Sequence, residues 1–315
     1  MSDHRLPPFL MVSEPGSFAE HTIKVRKPQI IADVLAHNAY PAEIVAALES
    51  LHHEIVAGTV LPLAEAGDDA ALWHAAWEPW RGRAWSDLPW FLAETYFYRR
   101  LLEAVGYFRP GPWRLVDPFA PQKAAVLATG LQALAGLLGN LDDRADDEAT
   151  THWWLYRSLW GNRVDLSNRA TLAAHADTPE HDPAALLIDH GGQVWDLLHS
   201  GRVRRLDLVA DNSGLELLSD LGLVDALLGR GLVQQVRLHL KPQPYFVSDA
   251  MVGDCERTVA ALQSSGEAAL QRIGARLGAA MRRGTLRLAT HPFWATHLFF
   301  SQLPSALRGE LAGAD

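Results

Sequence analysis

The sequence predicts an α/β fold in which a helical N-terminal domain, residues 1–182, precedes a three-layer α/β/α domain with a mainly parallel sheet, residues 183–315. Apolar residues recur at helical spacing through the first 180 residues. After residue 182, short β-type runs alternate with helical runs. Strand–helix–strand alternation at this spacing is typical of βαβ units, whose strands pair in parallel.

The N-terminal half contains several segments with one apolar face. The segment at 86–105 opens with Ser-Asp-Leu-Pro, a favourable helix start because Ser or Asp can cap the helix and Pro is tolerated in its first turn. The predicted helices lie at 17–35, 42–57, 86–105 and 122–141, and a Trp-rich segment follows at 151–167.

The C-terminal half contains four candidate strands with helical segments between them. The predicted strands lie at 184–190, 203–212, 234–244 and 285–292, and the predicted helical segments at 213–231 and 249–283. This order predicts a Rossmann-like sheet, in which ligands bind where the strands end.

Composition and charge exclude several classes of protein. The 315-residue chain has 28 Lys and Arg against 37 Asp and Glu, a net charge of −9, which argues against nucleic-acid binding. A single cysteine, Cys255, excludes a disulfide framework or a multi-cysteine metal site. Residues 124–141 carry no charge, but their Gly, Gln and Asn residues favour a buried helix over a membrane span. With no export signal visible at the start of the sequence, we expect a cytoplasmic protein.

Acidic and amide side chains follow two of the predicted strands. Asp211 and Asn212 follow the strand at 206–210, and Asp249 follows the strand at 236–240. Adjacent parallel strands would place these three side chains in one cleft. Two carboxylates and an amide oxygen suit Mg²⁺ or Mn²⁺, and such an ion can polarise a phosphoryl oxygen.

The same residues have a structural explanation. Asp, Asn and Ser are ordinary N-caps at strand-to-helix turns. Ser213-Gly-Leu-Glu216 also fits a capping box, in which Glu216 would reach back to the cap. Spacing alone therefore leaves helix capping as the more common explanation and a metal site as the alternative.

Two segments form a more specific pattern. Residues 211–228 contain Asp-Asn-x-Gly-x-Glu, and residues 241–250 contain Lys-x-x-Pro-x-x-Val-Ser-Asp. The pair resembles domain-of-unknown-function family 89, the damage-control phosphatases, also described as acidic-residue methyltransferase-like proteins. Four further segments resemble the same family in the same order: 17–31, 93–104, 158–167 and 290–296. The resemblance covers roughly residues 10–315 and implies a phosphatase that acts on sugar phosphates, such as fructose 1-phosphate, with a divalent metal.

The resemblance implies roles for the residues of the two turns. Asp211, Asn212 and Asp249 would hold Mn²⁺, Co²⁺, Ni²⁺ or Mg²⁺, with Asp211 and Asp249 catalytic and Asp211 and Asn212 also touching the phosphorylated substrate. The family's methyl-donor contact falls at Glu216 and Asp249, and Glu216 is also a candidate substrate contact. We infer separately that Lys241 is placed to offset phosphate charge and to contact substrate.

Four residues outside the two turns are further candidate substrate contacts. Asn162 and Asp165 would close the cleft from the helical domain. Glu94 and Arg99 lie among aromatic residues of the predicted helix at 86–105, where a buried ion pair or a solvated helix face is the alternative.

Two other functions stay open. The family name suggests a carboxyl methyltransferase dependent on S-adenosylmethionine, although the turn Val-Ala-Asp-Asn-Ser-Gly has one glycine where nucleotide-binding turns usually have several. Relatives are expected to continue beyond residues 307–315 with phosphate-binding motifs that are not present up to Asp315. A non-catalytic sugar-phosphate or metal-binding protein is therefore the third hypothesis.

Overall fold

Residues 8–64, 67–139, 147–161 and 186–315 are described in the computed structural model of this chain. The chain divides into two units. Unit 1 comprises Met1–Pro121, Pro244–Phe246 and Ala295–His297, and unit 2 comprises Gln122–Gln243, Val247–Trp294 and Leu298–Asp315. The predicted domain boundary between residues 182 and 183 lies outside the described residues and stays a prediction.

Unit 1 is built from helices around an aromatic core. Ser17 caps the first helix by accepting a hydrogen bond from the Glu20 backbone N–H at 3.1 Å. Pro28 does not end the predicted helix, because it lies in the first turn of α2, where a missing N–H is tolerated. The helices are α1 (Phe18–His21), a π-helical turn (Thr22–Arg26), α2 (Lys27–His37), α3 (Ala42–Ala57), α4 (Ala70–Trp77) and α5 (Trp90–Ala104).

Helix α5 is the centre of unit 1. The sequence predicts one buried face, but every residue from Ala93 to Arg99 is buried, as are Leu101 and Leu102. Large side chains from other segments, including Trp73 and Trp85, are also fully buried. The helix is therefore enclosed on most sides, and its charged side chains need partners within the protein.

Unit 2 contains a three-stranded parallel sheet in the order β1-β2-β3. Leu208, Leu238 and Leu288 lie side by side across the three strands. The strands are β1 (Arg205–Val209), β2 (Gln235–Leu240) and β3 (Leu286–Thr290), which confirms the α/β class and three of the predicted strands. The helices are α6 (Ala120–Leu138, in unit 2 from Gln122 onwards), α7 (Asp147–Trp160), α8 (Gly191–His199), α9 (Leu215–Gly229), α10 (Val252–Gln263), α11 (Ala268–Arg283) and α12 (Ser305–Leu311).

The predicted strand at 184–190 is wrong over the residues that the structure describes there, 186–190. None of them is in a strand, and the side chains of Leu187 and Ile188 are 102% and 72% exposed. Asp189 accepts a hydrogen bond from the Gly191 backbone N–H at 2.8 Å, and α8 begins at Gly191. An apolar run of this length does not by itself distinguish a strand from a segment that leads into a helix.

Helix α9 occupies the centre of unit 2. All eleven residues from Leu217 to Leu227 are buried. Glycines allow neighbouring helices to approach closely: a Cβ added to Gly222 would lie 1.9 Å from the Trp154 ring of α7, and one added to Gly130 of α6 would lie 2.9 Å from Leu218. Close backbone approach therefore holds α9 among its neighbours.

The uncharged stretch at 124–141 supplies most of α6, with Gly130 and Leu134 buried. In the described parts of the chain, each helix is too short or too polar to cross a membrane.

We expect Gly222→Ala to lower the free energy of unfolding by about 2 kcal/mol, because the new methyl group overlaps the Trp154 ring in a packed interior. Urea unfolding followed by circular dichroism measures the change. Gly229→Ala on the same helix is the control, since a Cβ there meets nothing within 4 Å and should stabilise the helix by up to about 1 kcal/mol. Equal stability of the two variants would contradict the close α7–α9 contact.

Candidate functional site

The turns that follow β1 and β2 are joined through their backbones. The Ala250 N–H donates to the Asp211 carbonyl at 2.7 Å, and the Ser213 N–H donates to the Ser248 carbonyl at 2.6 Å. Asn212 and Asp249 face each other as an isolated antiparallel bridge. The structure therefore brings the turns carrying Asp211, Asn212 and Asp249 together at the carboxyl edge of the sheet, as the spacing predicts.

Asn212 is held by hydrogen bonds on both sides of its amide. Its Oδ1 accepts a hydrogen bond from Ser248 Oγ at 2.5 Å. Its Nδ2 donates to Glu216 Oε2 at 2.8 Å and, over a longer distance, to Asp211 Oδ2 at 3.3 Å. Glu216 and Ser248 together fix the direction of the amide oxygen.

The predicted capping box at Ser213–Glu216 is wrong. The N-cap of α9 is Gly214, and no side chain of the described residues caps the helix. Gly214 has φ +85° and ψ −135°, a conformation almost restricted to glycine, and an added Cβ would lie 3.1 Å from Val126. The Glu216 side chain is bonded to Asn212 rather than to a Ser213 cap.

Asp249 is buried next to two lysines. Its side chain is 4% exposed, and Lys241 Nζ lies 3.0 Å from Oδ2. Lys123 Nζ donates to the Asp249 backbone carbonyl at 2.8 Å and to Asp254 at 3.0 Å. Burial raises the pKa of Asp249 to about 7 against the lowering effect of Lys241, and the charge of Asp211 raises it further.

Two further carboxyl groups near Asp211 also have raised pKa values. Burial raises the pKa of Glu216 to about 8 against the hydrogen bond from Asn212, and the charges of Asp211 and Asp220 add to the rise. Burial raises the pKa of Asp220 to about 7 against the hydrogen bond from Ser158, and the charge of Asp211 adds to this rise as well. The cluster therefore resists full ionisation unless a cation joins it.

The residues present fit a hard divalent cation. Asp211 and Asp249 offer carboxylates and Asn212 an amide oxygen, an oxygen-only donor set of the type that retains water and substrate oxygens as further ligands. Asp249 Oδ2 is buried, and within the described residues Lys241 Nζ approaches it to 3.0 Å but no donor is aligned on it. Over the described residues, no three His, Cys, Asp or Glu side chains are grouped as ligands, so the Asn212 amide is needed to complete a protein set of three.

Glu94 and Arg99, two predicted substrate contacts, are paired within unit 1. Lys27 Nζ lies 2.5 Å from Glu94 Oε1, and both side chains are buried. Arg99 donates Nε and a terminal nitrogen to Asp69 at 2.7 and 3.1 Å. An ion pair is thus seen for both, buried on both sides for Glu94 and with a partly exposed Asp69 for Arg99, and substrate contact stays a prediction.

Of the other predicted substrate contacts, those outside the Asp211–Glu216 segment have different outcomes. Lys241 lies beside Asp249, as expected for a group in the site. Asn162 and Asp165 lie outside the described residues, so their contact with substrate stays a prediction.

Sequence reasoning missed four residues around the two turns. Ser158 and Ser248 lie inside segments that carry the family resemblance, so a local signal for them was present. Lys123 reaches Asp249 from 126 residues away along the chain and has no local signal. Asp220 lies in the resembling segment 211–228, but it meets its partner Ser158 only through the packing of α7 on α9.

Comparison with known proteins decides the family. A family model described as the damage-control phosphatase ARMT1-like domain matches residues 22–315. The chain belongs to this family. Membership of the ARMT1-like family confirms the resemblance and supports a phosphatase-type damage-control function.

Individual ARMT1-like relatives match over most of their length. "Damage-control phosphatase ARMT1" of Danio rerio is 30% identical over 92% of this chain and 75% of the relative. The protein of the same name from Mus musculus is 29% identical over 91% of this chain and 75% of the relative. A crystal structure of a DUF89 family protein from Pyrococcus horikoshii covers 93% of this chain and 80% of its own, with 14% identity and a TM-score of 0.49.

We expect Lys27→Met to lower the free energy of unfolding by about 3–5 kcal/mol, because it leaves the Glu94 carboxylate buried without its cation. Lys27→Met/Glu94→Leu should regain most of the loss. Chemical unfolding of both variants measures this. If the double variant is stable but loses activity, Glu94 contacts substrate; if the single variant is as stable as wild type, the pair does not form in solution.

In metal-free protein, we expect Asp249 to make stability fall as pH rises from about 4 to about 7. Its pKa is raised in the folded state, so the folded chain binds more protons than the unfolded chain over this range. Asp249→Asn should make the plot of unfolding free energy against pH less steep over this range. The change should equal the contribution of about one bound proton. Urea unfolding with chelator at several pH values tests this, and an unchanged slope would show that Asp249 is ionised throughout.

Proposed function

We propose that this chain is a metal-dependent phosphatase that hydrolyses phosphorylated sugars or related damaged metabolites. The observation that carries the proposal is the pair of backbone-joined turns bearing Asp211, Asn212 and Asp249 at the carboxyl edge of a parallel sheet. Membership of the damage-control phosphatase ARMT1-like family supports the phosphatase part. The donor chemistry of the three side chains supports the metal dependence.

Some residues of the site would bind the cation, and others orient the residues that bind it. Asp211, Asn212 and Asp249 would hold the cation, which when bound supplies polarisation of a phosphoryl oxygen. Ser248 and Glu216 hold the Asn212 amide in a fixed direction. This fixed arrangement lowers the reorganisation needed when substrate arrives.

Charge neutralisation explains why the site needs a cation. The chain carries a net charge of −9, and Asp211, Glu216, Asp220 and Asp249 concentrate acidic groups around the two turns. A phosphate dianion would be repelled by this field. Lys241, which lies 3.0 Å from Asp249, offers one compensating charge, and a divalent cation would add two.

Either a water molecule or the Asp249 carboxylate serves as the nucleophile. Both options need Asp249 without its proton, because a protonated carboxyl neither attacks phosphorus nor holds a divalent cation. Burial and Asp211 favour the protonated form, whereas Lys241 favours the ionised form. A bound cation would favour ionisation further.

The two other hypotheses remain as outcomes of the test. Gly214, the glycine of the turn after β1, is the N-cap of α9 and lies against Val126 of α6. This packing role gives no support to the binding of a nucleotide-type methyl donor. A non-catalytic binding protein would bind metal without turnover.

The decisive experiment is a hydrolysis screen with Mn²⁺, Co²⁺, Ni²⁺ and Mg²⁺ against a panel of phosphorylated sugars, with phosphate release as the readout. We expect metal-dependent release that falls at least about 100-fold in Asp211→Ala and Asp249→Ala, because each loses a ligand of the cation. Asp196→Ala, which removes an exposed carboxylate from α8, is the matched control and should retain activity.

Three other outcomes would count against the proposal. Full metal-dependent release by Asp211→Ala would rule out the proposed ligand set. Metal binding without release from any sugar phosphate would favour the binding protein. Tight binding of S-adenosylmethionine by calorimetry, with no phosphate release, would favour the methyltransferase.

A further inference from the structure

Helices α7 and α9 make a polar contact that the proposed reaction does not use. Ser158 Oγ of α7 donates to Asp220 Oδ1 of α9 at 2.5 Å. Three residues further along the chain, Gly161 lies so close to α9 that an added Cβ would be 2.7 Å from Glu216 Cα. The end of α7 therefore packs directly on the helix that carries Glu216 and Asp220.

Asn212, Glu216 and Asp220 follow one another at intervals of four residues. Side chains at this spacing lie on one face of a helix, and Glu216 and Asp220 belong to α9. The Asn212 amide donates to Glu216, and Ser158 donates to Asp220. This polar face therefore runs from the turn that carries the proposed metal ligands to the contact with α7.

Asp220 differs from the other buried acid at the far end of the same helix. Asp225 forms a bidentate ion pair with Arg276 of α11. Within the described residues, no ion pair joins Asp220 to a Lys, Arg or His, and its hydrogen-bond donor is the neutral hydroxyl of Ser158. An ionised carboxylate buried without a cation is costly for stability, so the presence of an acid at this position needs another explanation.

We propose that Asp220, held by Ser158, is a positioning residue whose negative charge strengthens the divalent cation site. The inference rests on the proposed function, since it needs the cation at Asp211, Asn212 and Asp249. Asp220 does not touch the cation in this scheme. It acts through space on Asp211, and Ser158 fixes the place from which it acts.

The charged groups around Asp220 determine when this charge is present. Among the described residues these are Asp211, in the turn after β1, and Glu216, one turn earlier on α9, while α7 supplies the neutral Ser158 and α11 directs Arg276 to Asp225. Burial and Asp211 raise the pKa of Asp220 to about 7, and Ser158 opposes the rise. Asp220 therefore gains its negative charge at higher pH than an ordinary aspartate does.

Mn²⁺ binding by Asp220→Asn at pH 6 and pH 8 tests the proposal, because Asn keeps the acceptor for Ser158 and removes the charge. Calorimetry with Mn²⁺ alone should show affinity on the order of tenfold weaker than wild type at pH 8, and little change at pH 6. Thermal unfolding of the metal-free variant at pH 8 should occur at a temperature equal to or above that of wild type, since the variant no longer buries a charge.

Two further variants separate the charge from a structural role. Ser158→Ala should weaken Mn²⁺ binding at pH 8, because Asp220 loses the hydrogen bond that favours its ionised form, and it should add nothing in the Asp220→Asn background. Asp225→Asn is the control: it should lower stability without changing Mn²⁺ affinity at either pH.

The outcomes distinguish the inference from the proposed function. If wild type binds Mn²⁺ and Asp220→Asn binds it equally at pH 8, Asp220 has no part in the cation site and the inference alone is overturned. Equal weakening at pH 6 and pH 8 also overturns it, because the loss would then come from altered packing rather than from charge. If wild type itself does not bind Mn²⁺, the proposed function fails and the inference fails with it.

Discussion

Hydrogen bonds between the two turns at the carboxyl ends of β1 and β2 are the constraint on which the site depends. The Ala250 and Ser213 N–H groups donate across the gap to the Asp211 and Ser248 carbonyls. These bonds involve the backbone, so they hold the turns together whatever the charge on the side chains. Carboxylates that repel one another can therefore remain neighbours, and burial, with this repulsion as a smaller cause, raises the pKa values of Asp249 and Glu216.

The core of unit 2 supports these turns through α9. The helix starts directly after the site, at Leu215, and is buried from Leu217 to Leu227. Gly222 and Gly130 let α7 and α6 approach it closely. A helix enclosed in this way has little freedom to shift, so the acidic groups on its first turns keep their positions relative to Asp211.

Much of the site was predictable because it follows a short-range rule. Parallel strands end at one edge of a sheet, so Asp211, Asn212 and Asp249 could be placed together from the positions of two strands. The predicted capping box failed because Gly214 takes a positive-φ conformation and becomes the cap itself. Lys123 and Asp220 were missed because their roles arise from contacts with residues distant in the chain.

The sequence by itself determined the α/β class, three parallel strands, most of the helices and the order of the motifs that mark the family. These features follow from local periodicity and from residues close together in the chain. The tertiary structure decided which apolar runs became strands, as at 186–190, and which charges were paired, as for Glu94 and Lys27. Burial and charge pairing depend on which distant residues meet, and no local pattern contains that information.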